Sequence, residues 1–194
     1  MMVYLKWGLR AIFWTLVIAF LHYTLPQHDI ARITDTYEKR INPGTNSLFW
    51  ANADTGEDTQ AAARDVFFIQ TFRTDDKPMI YRNEDTGWGW PPYFKFDTAN
   101  LQARASDMMS KKSAATAQWV AVRHYGWRNE LMTIYPNAVA VWSVAGPEAR
   151  IIPWFNIVVL TLLAAGYWAV RVRWNRFWAR RDEPEGGEWR EASD

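Results

Sequence analysis

Apolar residues collect in two long runs near the ends of the chain, and between them the pattern changes to short alternating stretches. The first run covers residues 7–25, and within it residues 11–21 carry no charge and only Thr15 as a polar interruption. Lys6 and Arg10 precede that core. A short apolar core behind basic residues is also the layout of a secretory signal. No small-x-small cleavage site follows it, because the chain continues Leu-His-Tyr-Thr-Leu-Pro (residues 21–26). Arg10 can snorkel, and Trp7, Trp14 and Tyr23 can anchor at the two interfaces. Residues 1–25 are therefore expected to be an uncleaved N-terminal transmembrane anchor. The second run, residues 151–170, has no charge at all, and at about 1.5 Å per residue it is long enough for one span. Pro153 is expected in its first turn, where a missing N–H costs little.

The middle, residues 26–150, reads as one folded domain. Residues 30–41 mix Ile, Thr and Tyr with charges, as a strand leaving the membrane would. Residues 43–63 are rich in Asn, Asp, Thr, Gly and Ala and predict a long loop, with Leu48, Phe49 and Trp50 as its apolar knob. Residues 66–73 are apolar on both faces, which suits a central strand. Residues 74–77 form a turn, and residues 78–82 return as a hairpin partner. Asp97 is placed to cap a helix whose Leu101, Ala105, Met108 and Met109 share one face, with Lys111, Lys112 and Ser113 at its end. Alternation returns at 118–127, 131–135 and 138–144, with Pro136 and Asn137 as a turn. The fold class is an α+β domain of about six mainly antiparallel strands plus one helix, able to curl into a small barrel, set between two transmembrane helices.

Charge orients this arrangement. Arg171, Arg173, Arg176, Arg180 and Arg181 follow the second run at once, interleaved with Trp174, Phe177 and Trp178. Positive charge beside a span stays in the cytoplasm. Both termini are then cytoplasmic, and about 125 residues lie outside, in the periplasm of a bacterium whose inner membrane holds the chain. The Arg-rich segment, residues 171–181, is read as an amphipathic run on anionic headgroups. The acidic tail, 182–194, has a disordered composition. A net charge of +1 argues against a nucleic-acid partner. With no cysteine, disulfides, thiol catalysis and thiolate metal sites are excluded. Thirteen tryptophans are many for 194 residues, and interfacial belts use Trp in this way.

The densest chemistry lies in residues 81–96, Tyr-Arg-Asn-Glu-Asp-Thr-Gly-Trp-Gly-Trp-Pro-Pro-Tyr-Phe-Lys-Phe. Its rings, Trp88, Trp90, Tyr93, Phe94 and Phe96, read first as a plug of the core or of the membrane-facing end. The other readings are a stacking platform for glycan or partner side chains, and contact with lipid. Arg123, Trp127 and Arg128 combine basic and aromatic groups, either as internal cation–π pairs or as a seat for an anionic group. Glu84, Asp85 and His124 are the candidate acid–base groups; ordinary turn chemistry also explains the first two, and a hydrogen bond at the end of the core explains His124. His28 and His124 lack the spacing of a metal site, and no cofactor or nucleophile fingerprint occurs.

The string at 81–96, together with Trp-Val-Ala-Val-Arg-His-Tyr-Gly-Trp-Arg (119–128), Pro-Asn-Ala-Val (136–139) and His-Tyr-Thr-Leu-Pro-Gln-His-Asp-Ile (22–30), resembles a bacterial envelope family catalogued as domain of unknown function 1523. The resemblance spans most of residues 21–144. It implies a membrane-anchored protein without an assigned activity and carries over no functional residue. The function expected is binding or scaffolding in the envelope, with the lipid bilayer and another membrane or envelope protein as partners. The alternative is an envelope enzyme acting on glycan or peptidoglycan.

Overall fold

The computed structural model describes residues 2–41, 64–110 and 117–181. The loop and apolar knob expected within 43–63, the Lys111, Lys112 and Ser113 stop, and the acidic tail lie outside the described residues. The chain divides into two units, Met1–Pro153 and Trp154–Asp194.

The first unit begins with helix α1, Met2–Thr24. Among the described residues five strands follow: β1 Gln27–Ile41, β2 Arg64–Arg73, β3 Pro78–Asn83, β4 Trp119–Tyr125 and β5 Asn137–Val144. A second helix, α2 Thr98–Asp107, lies between β3 and β4. The strands close into a barrel in the order β1-β2-β3-β5-β4. All neighbours are antiparallel except β3 and β5, which meet in parallel at Arg82 and Asn137. Strand order, parallel closure and the helix between β3 and β4 together are the arrangement of an OB-fold, a five-stranded barrel.

β1 serves two partners. Gln27 to Ala31 pair with β4, and from Ala31, which pairs on both sides, the strand pairs with β2 out to Ile41. The register shifts between Ile33 and Asp35, a bulge that bends the strand. The Ile33 carbonyl accepts instead from Ser110 N at 2.8 Å, tying the chain after α2 to the bend. Ile33, Ile69, Tyr81, Val120, Val122, Ala138 and Val141 fill the interior. α2 plugs it with Leu101 and Ala105, while Asp97 caps the helix by accepting from Asn100 N at 3.0 Å. Each fully buried large side chain in this core contributes roughly 1.5–3 kcal/mol.

Three expectations change. The sixth strand, 131–135, does not form. Asn129 and Ile134 bridge a tight reversal, Asn129 Oδ1 accepts from Met132 N at 3.1 Å, and Thr133 takes a φ of 51°. Local side-chain bonding there outcompetes a ladder. Met109 is not on the buried face of α2: the helix ends at Asp107, and Met109 is exposed. Pro153 stands just before the second long helix, α3 Trp154–Arg181, rather than in its first turn.

α3 runs unbroken through the Arg-rich segment, residues 171–181. Arg181 stacks over Phe177 and Trp178. Both α1 and α3 are long and apolar enough to cross a membrane, over Val3–Thr24 and Trp154–Arg181.

Candidate functional site

The last turn of any helix leaves four carbonyls without partners inside it. In α1 these are Leu21, His22, Tyr23 and Thr24, and every one is met. Leu25 N donates to Leu21 O at 2.8 Å and Gln27 Nε2 to His22 O at 2.9 Å. Gly126 N donates to Tyr23 O at 2.9 Å, and the Tyr93 hydroxyl to Thr24 O at 2.6 Å. Two of the four donors belong to loops far along the chain, residues 84–97 and 126–136. Gly126 has a φ of +92°, and a Cβ there would meet Pro136 Cα and the Tyr23 ring, both at 3.6 Å. Glycine lets the loop approach the helix end this closely.

Rings reinforce the seam. Tyr93 stacks on Tyr125 at 4.9 Å, Tyr23 meets Trp127 edge to face, and Trp127 Nε1 donates to His22 Nδ1 at 3.0 Å. Trp90 stacks on Phe20 of α1 at 5.6 Å.

Of Trp88, Trp90, Tyr93, Phe94 and Phe96, Tyr93 alone is half-buried rather than exposed. Trp88 is 83% exposed and Trp90 66%, and Phe94 and Phe96 are also exposed. Those four rings do not plug the barrel's core, which leaves of that expectation only a plug of the membrane-facing end. The reason is geometric: the loop's inward-facing positions are taken by polar groups, so its rings turn outward. Lys95 is buried between Phe94 and Phe96, and its ammonium is held by Asn83 Oδ1, by Glu84 O at 3.0 Å and by Ala138 O at 3.0 Å. Burial pushes its pKa down to about 8. Phe94 has a φ of 49°, a conformation that costs a non-glycine residue about 1–3 kcal/mol.

The acid–base candidates do not meet in an open cleft. Glu84 is buried and pairs with Arg82 at 3.1 Å, while its backbone is bracketed by Asn137, which accepts from Glu84 N at 2.9 Å and donates to Glu84 O at 3.0 Å. Asp85 is exposed and accepts from Thr98 Oγ1 at 2.6 Å. His124 is buried with its Nε2 3.1 Å from Asp29 Oδ2, and the Tyr81 hydroxyl donates to the same oxygen at 2.5 Å. Burial alone would raise the Asp29 pKa, but the bonds from His124 and Tyr81 outweigh it and hold the carboxyl below its ordinary range. The same burial, with the Asp29 charge beside it, drives the Tyr81 hydroxyl well above its usual value. Asp29, Tyr81 and Lys95 are not among the residues that pattern and composition single out. The lone charge of Lys95 inside an aromatic run is the one signal that marks it.

The basic–aromatic candidates are largely engaged. Arg128 lies 4.4 Å over the Tyr135 ring and donates to Asn129 O and Ile134 O. Arg123 is half-buried opposite His28 in the β1–β4 ladder. His28 itself meets the Trp142 ring edge to face. Among the described residues no three His, Asp or Glu side chains gather as metal ligands would. An open groove of about 320 Å³ lies between Tyr37, Glu38 and Phe67 on the strands and Ala99, Gln102 and Ala103 on α2, and none of the acid–base candidates lines it.

No solved structure matches the chain. An uncharacterized protein of Haemophilus influenzae is 33% identical over 147 residues, covering 74% of this chain and 78% of that protein. A family model matches residues 2–178, from α1 through most of α3. The chain belongs to that family, described as Protein of unknown function (DUF1523).

Proposed function

We propose that this is a two-pass inner-membrane protein with both termini in the cytoplasm, which holds its barrel in the periplasm as a binding or scaffolding subunit. Basic residues gather at the end of each helix that this topology puts in the cytoplasm: Lys6 and Arg10 early in α1, and Arg171, Arg173, Arg176, Arg180 and Arg181 late in α3. That distribution sets orientation during insertion.

The observation that carries the scaffolding role is the seam. All four terminal carbonyls of α1 are satisfied within the chain, two of them by barrel loops, so the barrel is fixed to its anchor without a hinge. A domain held this rigidly presents a defined surface to a neighbour. An enzyme acting on glycan would need Glu84, Asp85 and His124 to reach one substrate, whereas Glu84 and His124 are turned inward to separate partners. The partner in this reading is another membrane or envelope protein. Ala164, Ala165 and Gly166 of α3 are exposed, and small residues let a second helix approach closely.

Crosslinking in native membranes tests the subunit role. The wild-type chain is expected in a discrete larger species, and Ala165→Leu or Gly166→Leu should reduce that species at least several-fold at equal expression. A chain that crosslinks only as a monomer contradicts the proposal.

A further inference from the structure

We infer that the exposed rings of residues 84–97 and 126–136 form a collar lodged in the outer leaflet of the bilayer, with the headgroup–acyl boundary as their binding partner. The inference rests on the reading of α1 as a membrane span.

α1 offers Val3–Thr24, 22 residues or about 33 Å of helix, against a hydrocarbon core of about 30 Å. Its last turn therefore lies at the membrane boundary. Trp90 stacks on Phe20, four residues before the end of the helix. At about 1.5 Å per residue its indole sits some 6 Å back along the span, on the membrane side of the helix exit. Trp127, bonded to His22, occupies the boundary on the other loop. Because the seam fixes both loops to that turn, the rings have no freedom to stand clear of the lipid.

Residues 87–94 contain no charge, and they display Trp88, Trp90 and Phe94 to the outside. The tip of the other loop adds Leu131, 98% exposed. Indoles favour the interface because the ring is apolar and the N–H seeks water or headgroups. A glycan platform needs an open, flat ring face bordered by polar side chains. Here Trp88 packs on Phe94 and Phe96 with interplanar angles of 67° and 59°, so the rings make a wedge instead. Phe94 is held in the left-handed region while displaying its ring, as expected of a residue whose placement serves contact rather than packing.

The chain has no cysteine, so single substitutions label cleanly. Full-length Trp90→Cys, Phe94→Cys, Leu16→Cys and Lys39→Cys variants would carry a polarity-sensitive fluorophore in vesicles of phosphatidylethanolamine and phosphatidylglycerol. Lys39 is exposed and lies 12 strand residues beyond Gln27, roughly 40 Å of contour from the helix exit. Nitroxide placed high on the acyl chains should quench labels at 90 and 94 by half or more, and aqueous iodide should quench them several-fold less than the label at 39. Labels at 90 and 94 that behave like the one at 39 overturn the collar and leave the rings free for a soluble ligand. The label at Leu16, read with nitroxide placed deep on the acyl chains because it lies about 12 Å inside the boundary, separates the two claims. If it is quenched from the lipid while 90 and 94 are not, the collar alone fails; if it is not quenched, the span fails and takes the collar with it.

Discussion

At the level of single residues, the polar groups turned into the barrel decide which chemistry is available outside. Asp29 is the plainest case. It accepts from the Tyr81 hydroxyl and lies 3.1 Å from His124 Nε2, and those bonds hold its pKa below the ordinary carboxylate range. A depressed folded pKa contributes stability that is complete above the unfolded value and is lost as pH falls through the folded one. Asp29→Ala should cost about 1–3 kcal/mol near neutral pH, since it strands two buried groups. The gap between variant and wild type should narrow as pH drops below about 4. Denaturant titrations of both proteins from pH 7 to pH 3 check this, and a gap that stays constant contradicts it. His124 was legible in the sequence as a hydrogen-bonded end of the core, because it continues the Val120 and Val122 face of its strand. Asp29 was not legible, because a carboxylate five residues past the end of the membrane helix looks like any exposed charge. Only barrel closure brings residues 95 positions apart together.

Secondary-structure elements divide along the same line. α1, α2, the β2–β3 hairpin and β5 follow from apolar periodicity and local capping, and their bounds fall within a few residues of expectation. The missing sixth strand and the exposed rings do not follow, because each depends on what a loop meets after folding. Residues 131–135 have the composition of a strand but lose it to side-chain bonds within their own turn. The string at 81–96 was identifiable as special, but whether its rings pack or protrude turns on Lys95 and Glu84 occupying the interior. The seam is likewise a product of two loops converging on one helix end. Tyr93→Phe removes the donor to Thr24 O while keeping the stack on Tyr125, and should cost about 0.5–1.5 kcal/mol. It should also speed amide exchange at Leu25 and Gly126, leaving α3 unchanged. Exchange rates equal to wild type at both amides would mean that the seam is not one cooperative unit.

On the scale of the whole molecule, an OB-type barrel is fixed to one apolar helix and followed along the chain by another, in a family described as of unknown function. An OB barrel by itself names no ligand, and the loop between β4 and β5, often part of the ligand face in such barrels, is here engaged with α1. What the molecule can offer a partner depends on which side of the membrane the barrel occupies. The most direct test is labelling of single cysteines with a membrane-impermeant thiol reagent in cells whose outer membrane alone has been permeabilised. Lys39→Cys in the barrel should label fully, while Ser193→Cys in the tail should label only after the inner membrane is lysed. Labelling at 193 in intact spheroplasts, or protection at 39, would contradict the topology and with it the proposed role.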